Sequence, residues 1–465
     1  MQPSGQGISI KGLALFGGPI VALLGAGLMW SAFGWAAAAA ITLGVTLLCV
    51  VWWIFEPIPI PATSLLPLAL LPMFGVVTAD DVARSYGHPL VLLLLGGFLL
   101  STALARSGAH RRIALGMVRA FGGGSSRSLV LGFMAAAAVL SMWISNTATS
   151  LMLLPVALAV IEKSSDRELS TPLLLGIAYA ASVGGIGTPI GTPPNVVFMG
   201  VYSDTFDQEL TFTDWMKLGV PVVLIMVPVI WLWLTRRLTH TGHVELPQVG
   251  PWTTPERRVL IVFACTALAW VTRKEPFGGW TAWFGFPYSN DAIVAFLGVV
   301  ALFLVPDGKG ERLLDWDTAN EIPWGMLILF GAGICIASAF TSSGLSATIG
   351  DGLAGLATLP VLLMIACICL AVTFLTEATS NTATTTLLMP ILATAAVAAA
   401  MDPRLFMVPA AMSASCAFML PVATAPNVVM FSTGRFTTNR MAREGFALNL
   451  AGAVVITFCC YALIA

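Results

Sequence analysis

Two short stretches carry most of the polar chemistry of an otherwise apolar chain. They are Ser145-Asn146-Thr147-Ala148-Thr149-Ser150 and Ser380-Asn381-Thr382-Ala383-Thr384-Thr385, 235 positions apart. Each runs into an apolar segment with a proline, Pro155 in one and Pro390 in the other. A second pair follows, Gly191-Thr192-Pro193-Pro194-Asn195 and Ala423-Thr424-Ala425-Pro426-Asn427, 232 apart. Leu95-Gly96-Gly97-Phe98 and Phe330-Gly331-Ala332-Gly333 make a weaker third pair. Side-chain oxygens of Ser, Thr and Asn, with carbonyls freed where a helix breaks, suit a hard cation such as Na⁺. Amides freed where the next half-helix starts favour anions. Asn and Thr are also the residue types that begin helices. Residues 128–161, 171–203 and 405–434 hold no charged residue, and 358–401 holds only Glu377. An anion bound there would be balanced by dipoles and bound cations, and two facing sites suit a molecule with two anionic ends.

Composition says what must position these groups. The chain has 465 residues, 57% hydrophobic and 10% charged, against about 25% charged in an ordinary soluble protein. Its mean hydropathy is +0.90. This is an all-α polytopic membrane protein held in a lipid bilayer. A net charge of −1 gives no field for nucleic acid. The eight cysteines sit in or beside apolar runs and read as buried thiols. Spans are expected at 13–30, 34–55, 58–77 and 89–106, followed by a basic helix at 107–121. Residues 128–162 are too long for one crossing of about 20 residues. With the Ser145 motif at their centre they read as a re-entrant hairpin. Residues 172–202 read as a span broken at Gly187–Asn195, and 215–235 as a full one. The second half gives spans at 257–272, 290–306 and 323–342, a hairpin at 358–400 broken at Ser380, a span at 404–433 broken at Ala423–Asn427, and a last span at 444–465. The total is about 11 transmembrane helices and two hairpins.

The basic residues orient this map. With the N-terminus in the cytoplasm, 17 Lys and Arg fall inside and 5 outside, accounting for all 22, as the positive-inside rule requires. Ala465 is then periplasmic in a bacterial inner membrane. The two hairpins enter from opposite sides, which makes an inverted repeat with its site at the repeat interface.

The paired Ser-Asn-Thr motifs, each followed by a Thr-Pro-Pro-Asn or Thr-Ala-Pro-Asn break, resemble the divalent anion/sodium symporter family of di- and tricarboxylate transporters. Glu56-Pro57-Ile58-Pro59 leading into Leu66-Pro67 is similar to that family too. The resemblance covers essentially the whole chain. It implies an elevator transporter, usually a homodimer, with scaffold helices at 1–127 and 257–357, transport regions at 128–237 and 358–465, and a cytoplasmic linker at 238–256. It implies one Na⁺ site at Ser141, Ser145, Asn146 and the Gly191 backbone, and another at Thr376, Thr379, Asn381 and the Ala423 backbone. Substrate carboxylates would meet Asn146, Thr147, Thr192, Pro193, Asn381, Thr382 and Ala425. Ala425 departs from the first half, where Pro193 stands.

The expected function is sodium-coupled import of a C4-dicarboxylate such as succinate, malate or fumarate. A sodium-independent exchanger, or a symporter for citrate or sulfate, stays open. Exchangers of that family tend to place a basic residue where the cation would sit, and the four breaks hold none. An intramembrane enzyme would need a nucleophile with a base, or a metal cluster, within the spans. The spans have no His-Glu-x-x-His, and the Ser-rich breaks no nearby His. Glu377 reads either as a proton or cation site or as a structural pairing inside the hairpin. His240 and His243 read as a polar loop.

Overall fold

The computed structural model describes residues 10–121, 125–164, 166, 168–238, 250–346, 348 and 359–465. Most of the linker, with His240 and His243, lies outside them. Among the described residues every regular element is a helix; the sole strand-like pairing is an isolated bridge between Pro306 and Arg312. The first half runs α1 Ile10–Ser31, α2 Ala37–Phe55, α3 Ile60–Thr63, α4 Leu66–Met73, α5 Ala79–Tyr86, α6 Pro89–Ser107, α7 Ala109–Phe121, α8 Ser126–Ser141, α9 Asn146–Lys163, α10 Ser170–Gly184, α11 Pro193–Phe206 and α12 Phe212–Thr235. The second runs α13 Thr254–Val271, α14 Gly279–Trp283, α15 Asp291–Leu304, α16 Trp316–Ala319, α17 Trp324–Ser342, α18 Val361–Ala378, α19 Asn381–Ala398, α20 Arg404–Ser413, α21 Ala425–Phe431 and α22 Thr438–Ile464.

Both hairpins and both broken helices form where the motifs stand. Ser145 caps α9 by accepting the Ala148 amide, so the hairpin tip is the four residues Met142–Ser145. Thr379 and Ser380 separate α18 from α19. A 3-10 turn at Gly185–Gly187 ends α10 and another at Pro421–Ala423 precedes α21. Prolines at the first turns of α11 and α21 start each second half, since a missing N–H costs nothing there.

The span expected at 58–77 is instead two short helices, α3 and α4. Pro59, Pro61 and Pro67 remove backbone donors and restart the helix. Glu56, with φ +46°, makes the turn before them. Among the described residues nine helices are long and apolar enough to cross a membrane, two of them the arms α18 and α19 of the second hairpin. Of the spans expected, 58–77 and 404–433 are interrupted, α15 has 14 residues, and α13 carries Glu256, Arg257 and Arg258 in its first turns. The thiols also divide: Cys265 and Cys367 are exposed on the apolar surface rather than buried.

Packing brings the two halves together crosswise. The hairpin arm α9 lies against α10 and α21, and the other hairpin arm α19 lies against α20 and α11. Each hairpin therefore touches the broken helix of both halves. Nearly every residue between Ser170 and Gly187 is buried, whereas only Ala14, Gly18 and Ala22 of α1 are, so α10 is the inner post and α1 an outer one. Gly184 permits the close approach of α8: a β-carbon there would fall 2.3 Å from the Ala138 carbonyl.

Candidate functional site

All four breaks close on one cavity of about 630 Å³. Its lining includes each residue expected to meet substrate, namely Asn146, Thr147, Thr192, Pro193, Asn381, Thr382 and Ala425. Five of the expected sodium residues, Ser145, Asn146, Gly191, Asn381 and Ala423, line it as well. The opposite wall comes from α6 (Leu94, Gly97, Phe98, Ser101) and the start of α17 (Pro323, Met326). No lining residue carries a charge.

Ser141 and Thr376 lie behind the lining and act through the asparagines. The Ser141 hydroxyl lies 2.5 Å from the Asn146 side-chain amide. In the other half the Thr376 hydroxyl donates to Asn381 Oδ1 at 2.7 Å and reaches the Ala414 carbonyl at 3.2 Å. The hydroxyl sits five residues before its asparagine in both halves. Thr379 is different. Its hydroxyl bonds the Leu375 carbonyl at 2.8 Å and Thr384 at 2.6 Å, turned away from the cavity. Any role for Thr379 at the cation would fall to its main chain.

The amide of Asn146 sits in an unusual environment. The atom facing inward has the Ser141 hydroxyl at 2.5 Å and the carbonyls of Gly191 and Ala181 at 3.2 and 3.3 Å. All are acceptors, the hydroxyl also a donor. With nitrogen inward the amide donates to all three; with oxygen inward it completes a cluster of four oxygens, the donor set a hard cation takes. Gly185 is what lets Asn146 in, because a β-carbon there would stand 2.8 Å from Asn146 Oδ1 and 3.0 Å from the Gly191 carbonyl. The Ala181 carbonyl had no signal in the sequence, since any residue type supplies one.

Two further residues hold the breaks in shape. Asn195 Nδ2 donates to the carbonyls of Gly185 (2.9 Å) and Thr188 (2.7 Å). Asn427 Nδ2 donates to those of Ala417 (3.0 Å) and Leu420 (3.1 Å). The Thr188 hydroxyl donates to the Met142 carbonyl, tying the first break to its hairpin tip. Glu377 is a brace: its carboxylate accepts the amides of Met419 (2.8 Å) and Leu420 (2.9 Å) and the Asn449 side chain (2.7 Å). Its oxygens are thus engaged by donors, which supports the structural of the two expectations.

Two helical hairpins and two interrupted helices, closed on an uncharged cavity rich in amides and hydroxyls, define a multi-pass membrane transporter. The model of the family described as "Sodium:sulfate symporter transmembrane region" matches residues 14–463. The chain belongs to that family, one of symporters rather than enzymes. It is 39% identical over 447 residues to the sodium-dependent dicarboxylate transporter SdcS of Staphylococcus saprophyticus, covering 91% of this chain and 85% of that one. It is 38% identical over 444 residues to the SdcS of Staphylococcus aureus, covering 90% and 85%. Among solved structures it resembles the YdaH transporter of Alcanivorax borkumensis, with a TM-score of 0.58 at 14% identity over 83% of this chain and 87% of that one. MtrF of Neisseria gonorrhoeae, an antimetabolite efflux pump, also matches at 0.58, with 13% identity over 85% and 83%. These last two likenesses concern the fold alone.

Proposed function

We propose that this protein couples an inward sodium gradient to the import of C4-dicarboxylates such as succinate, malate or fumarate. The observation that carries the reading is the uncharged cavity between two matched Ser/Asn/Thr clusters. Bringing two carboxylates into a weakly polar site uncompensated would cost several kcal/mol per charge. A helix N-terminus returns at most about 2 kcal/mol. Bound Na⁺ supplies the rest, at Asn146 with the Ser141 hydroxyl and the Gly191 and Ala181 carbonyls, and at Asn381 with Thr376. The sodium-dependent dicarboxylate transporters among its relatives support both halves of this reading. Two clusters facing one cavity favour a two-ended anion over sulfate.

In this reading residues 128–237 and 358–465 carry the site, and 1–127 and 257–357 stay fixed, as in an elevator. The protein works as a homodimer in the bacterial inner membrane, N-terminus inside and Ala465 outside.

The test is substrate affinity of the purified protein across a sodium series, with choline holding ionic strength constant. Affinity for succinate should fall steeply as sodium is removed, and by linkage succinate should tighten sodium binding by the same factor. Equal affinity in sodium and choline would move the assignment to a sodium-independent exchanger. Competition by sulfate and citrate in the same assay separates those anions.

A further inference from the structure

We propose that Arg273, Asp291 and Glu209 form a clasp on the outer face that holds the site-carrying and fixed parts together in this conformation and parts before the cavity opens outward. This rests on the two-part reading above.

Arg273, at the end of α13, is a guanidinium only 2% exposed. Its Nε lies 2.6 Å from Asp291 Oδ1 at the start of α15, and its Nη1 donates to the Ser289 carbonyl at 2.9 Å. Those partners belong to the fixed part. Its Nη2 lies 2.7 Å from Glu209, in the loop between α11 and α12 of the site-carrying part. Asp291 reaches across in turn, its Oδ2 accepting the Phe212 amide at 2.9 Å. Lys274 holds the second oxygen of Glu209 at 2.9 Å. Beneath the ion pairs Phe212 stacks on Trp270, ring centres 4.6 Å apart.

The clasp and the cavity lie at different depths. α6 begins at Pro89, and His88 and Leu90 share a small cavity with Glu209 and Asp291. The helix then supplies Leu94 to Ser101 to the main cavity and ends at Arg106, paired with Glu311. Going from the clasp toward Arg106 is going toward the end where the basic residues collect, the cytoplasmic one. The segment leading into α17 meets that end too, Asp315 pairing with Arg106, so Pro323 and Met326 enter the cavity from that side. The main cavity is therefore on the cytoplasmic side of the clasp. A buried guanidinium cannot slide gradually past its partners, because separation leaves a charge uncompensated; the contact is either made or open to water.

The test uses Val422, which lines the main cavity and is 78% exposed. Val422→Cys is labelled with a membrane-impermeant maleimide in right-side-out and inside-out vesicles, with the native cysteines alone as background. Glu209→Gln is then added; it leaves the Arg273–Asp291 pair intact, so folding is preserved. Because Glu209 is half-exposed, the expected rise in outside labelling is roughly two- to fivefold, with a fall from the inside. If Val422→Cys is reached from both sides but Glu209→Gln changes neither rate, the clasp is overturned and the transporter reading stands. If Val422→Cys reacts from one side only, with or without sodium and succinate, the moving site itself fails and the clasp with it.

Discussion

Asn195 and Asn427 make the same two hydrogen bonds in the two halves of the chain. Each donates from Nδ2 to the carbonyls ten and seven residues before it, Gly185 and Thr188 in one half, Ala417 and Leu420 in the other. All four carbonyls lie in the breaks, past the ends of the half-helices at Gly184 and Ser413, and those of Thr188 and Leu420 also accept the Gly191 and Ala423 amides. One asparagine thus staples the end of the first half-helix to the start of the second, and the two halves use the device in register.

Asn195→Ala and Asn427→Ala should each lower stability by about 1 to 3 kcal/mol, because the Gly185 or Ala417 carbonyl loses its donor in a buried place. Thermal unfolding in detergent measures it. Equal losses are expected, and a loss confined to one half would show that the staples are not equivalent.

Glu377 has three donors and no basic partner among its hydrogen bonds. Glu377→Gln turns an amide NH₂ toward a backbone N–H and should destabilise by about 1.5 to 3 kcal/mol. The steepness of uptake against sodium concentration should not change. A reduced sodium Hill slope in a folded Glu377→Gln protein would return this residue to the cation sites.

Gly185→Ala puts a methyl group 2.8 Å from Asn146 Oδ1. Overpacking of this kind costs about 1 to 3 kcal/mol, and it acts where the cation would bind. Sodium-driven uptake should collapse while the protein still inserts. Gly116→Ala, where a β-carbon meets nothing within 4 Å, is the matched control and should transport normally.

Ser141→Ala and Thr376→Ala remove the hydroxyls behind Asn146 and Asn381. Each should raise the sodium concentration for half-maximal uptake about tenfold, the worth of one hydrogen bond at a charged site. Thr379→Val serves as contrast, since its hydroxyl turns to Leu375 and Thr384. If it shifts sodium dependence as much as Thr376→Ala does, the second site is arranged differently.

The breaks were legible in the sequence because polar residues and prolines at membrane depth have so few other uses. The residues at Ser145, Pro193, Ser380 and Pro426 announce where a helix must stop and restart. What stayed hidden was direction. Nothing in the string tells which way the Thr379 hydroxyl turns, or that the main-chain carbonyl of Ala181 joins Asn146. The role of Glu377 depends on amides forty-two and forty-three residues further along, brought to it by the second break. The interruption at 58–77 was written in Pro59, Pro61 and Pro67, but overall apolarity outweighed them in a reading by span length. Arg273 is one of several basic residues beside a span in the sequence, and only folding places acids from two regions beside it.

The α6 and α17 wall of the cavity is made of Leu94, Gly97, Phe98, Pro323 and Met326, with Ser101 as its one hydroxyl. Such a surface offers a passing anion almost nothing to grip. Every hydrogen bond between a travelling cargo and a fixed rail would be a barrier to break on each stroke, and each would slow the cycle. On the elevator proposed above, an oily rail would keep the friction low and leave the grip to the hairpins and broken helices. Replacing Phe98 or Met326 with a polar residue would thus act as a brake, slowing turnover while leaving equilibrium affinity nearly unchanged.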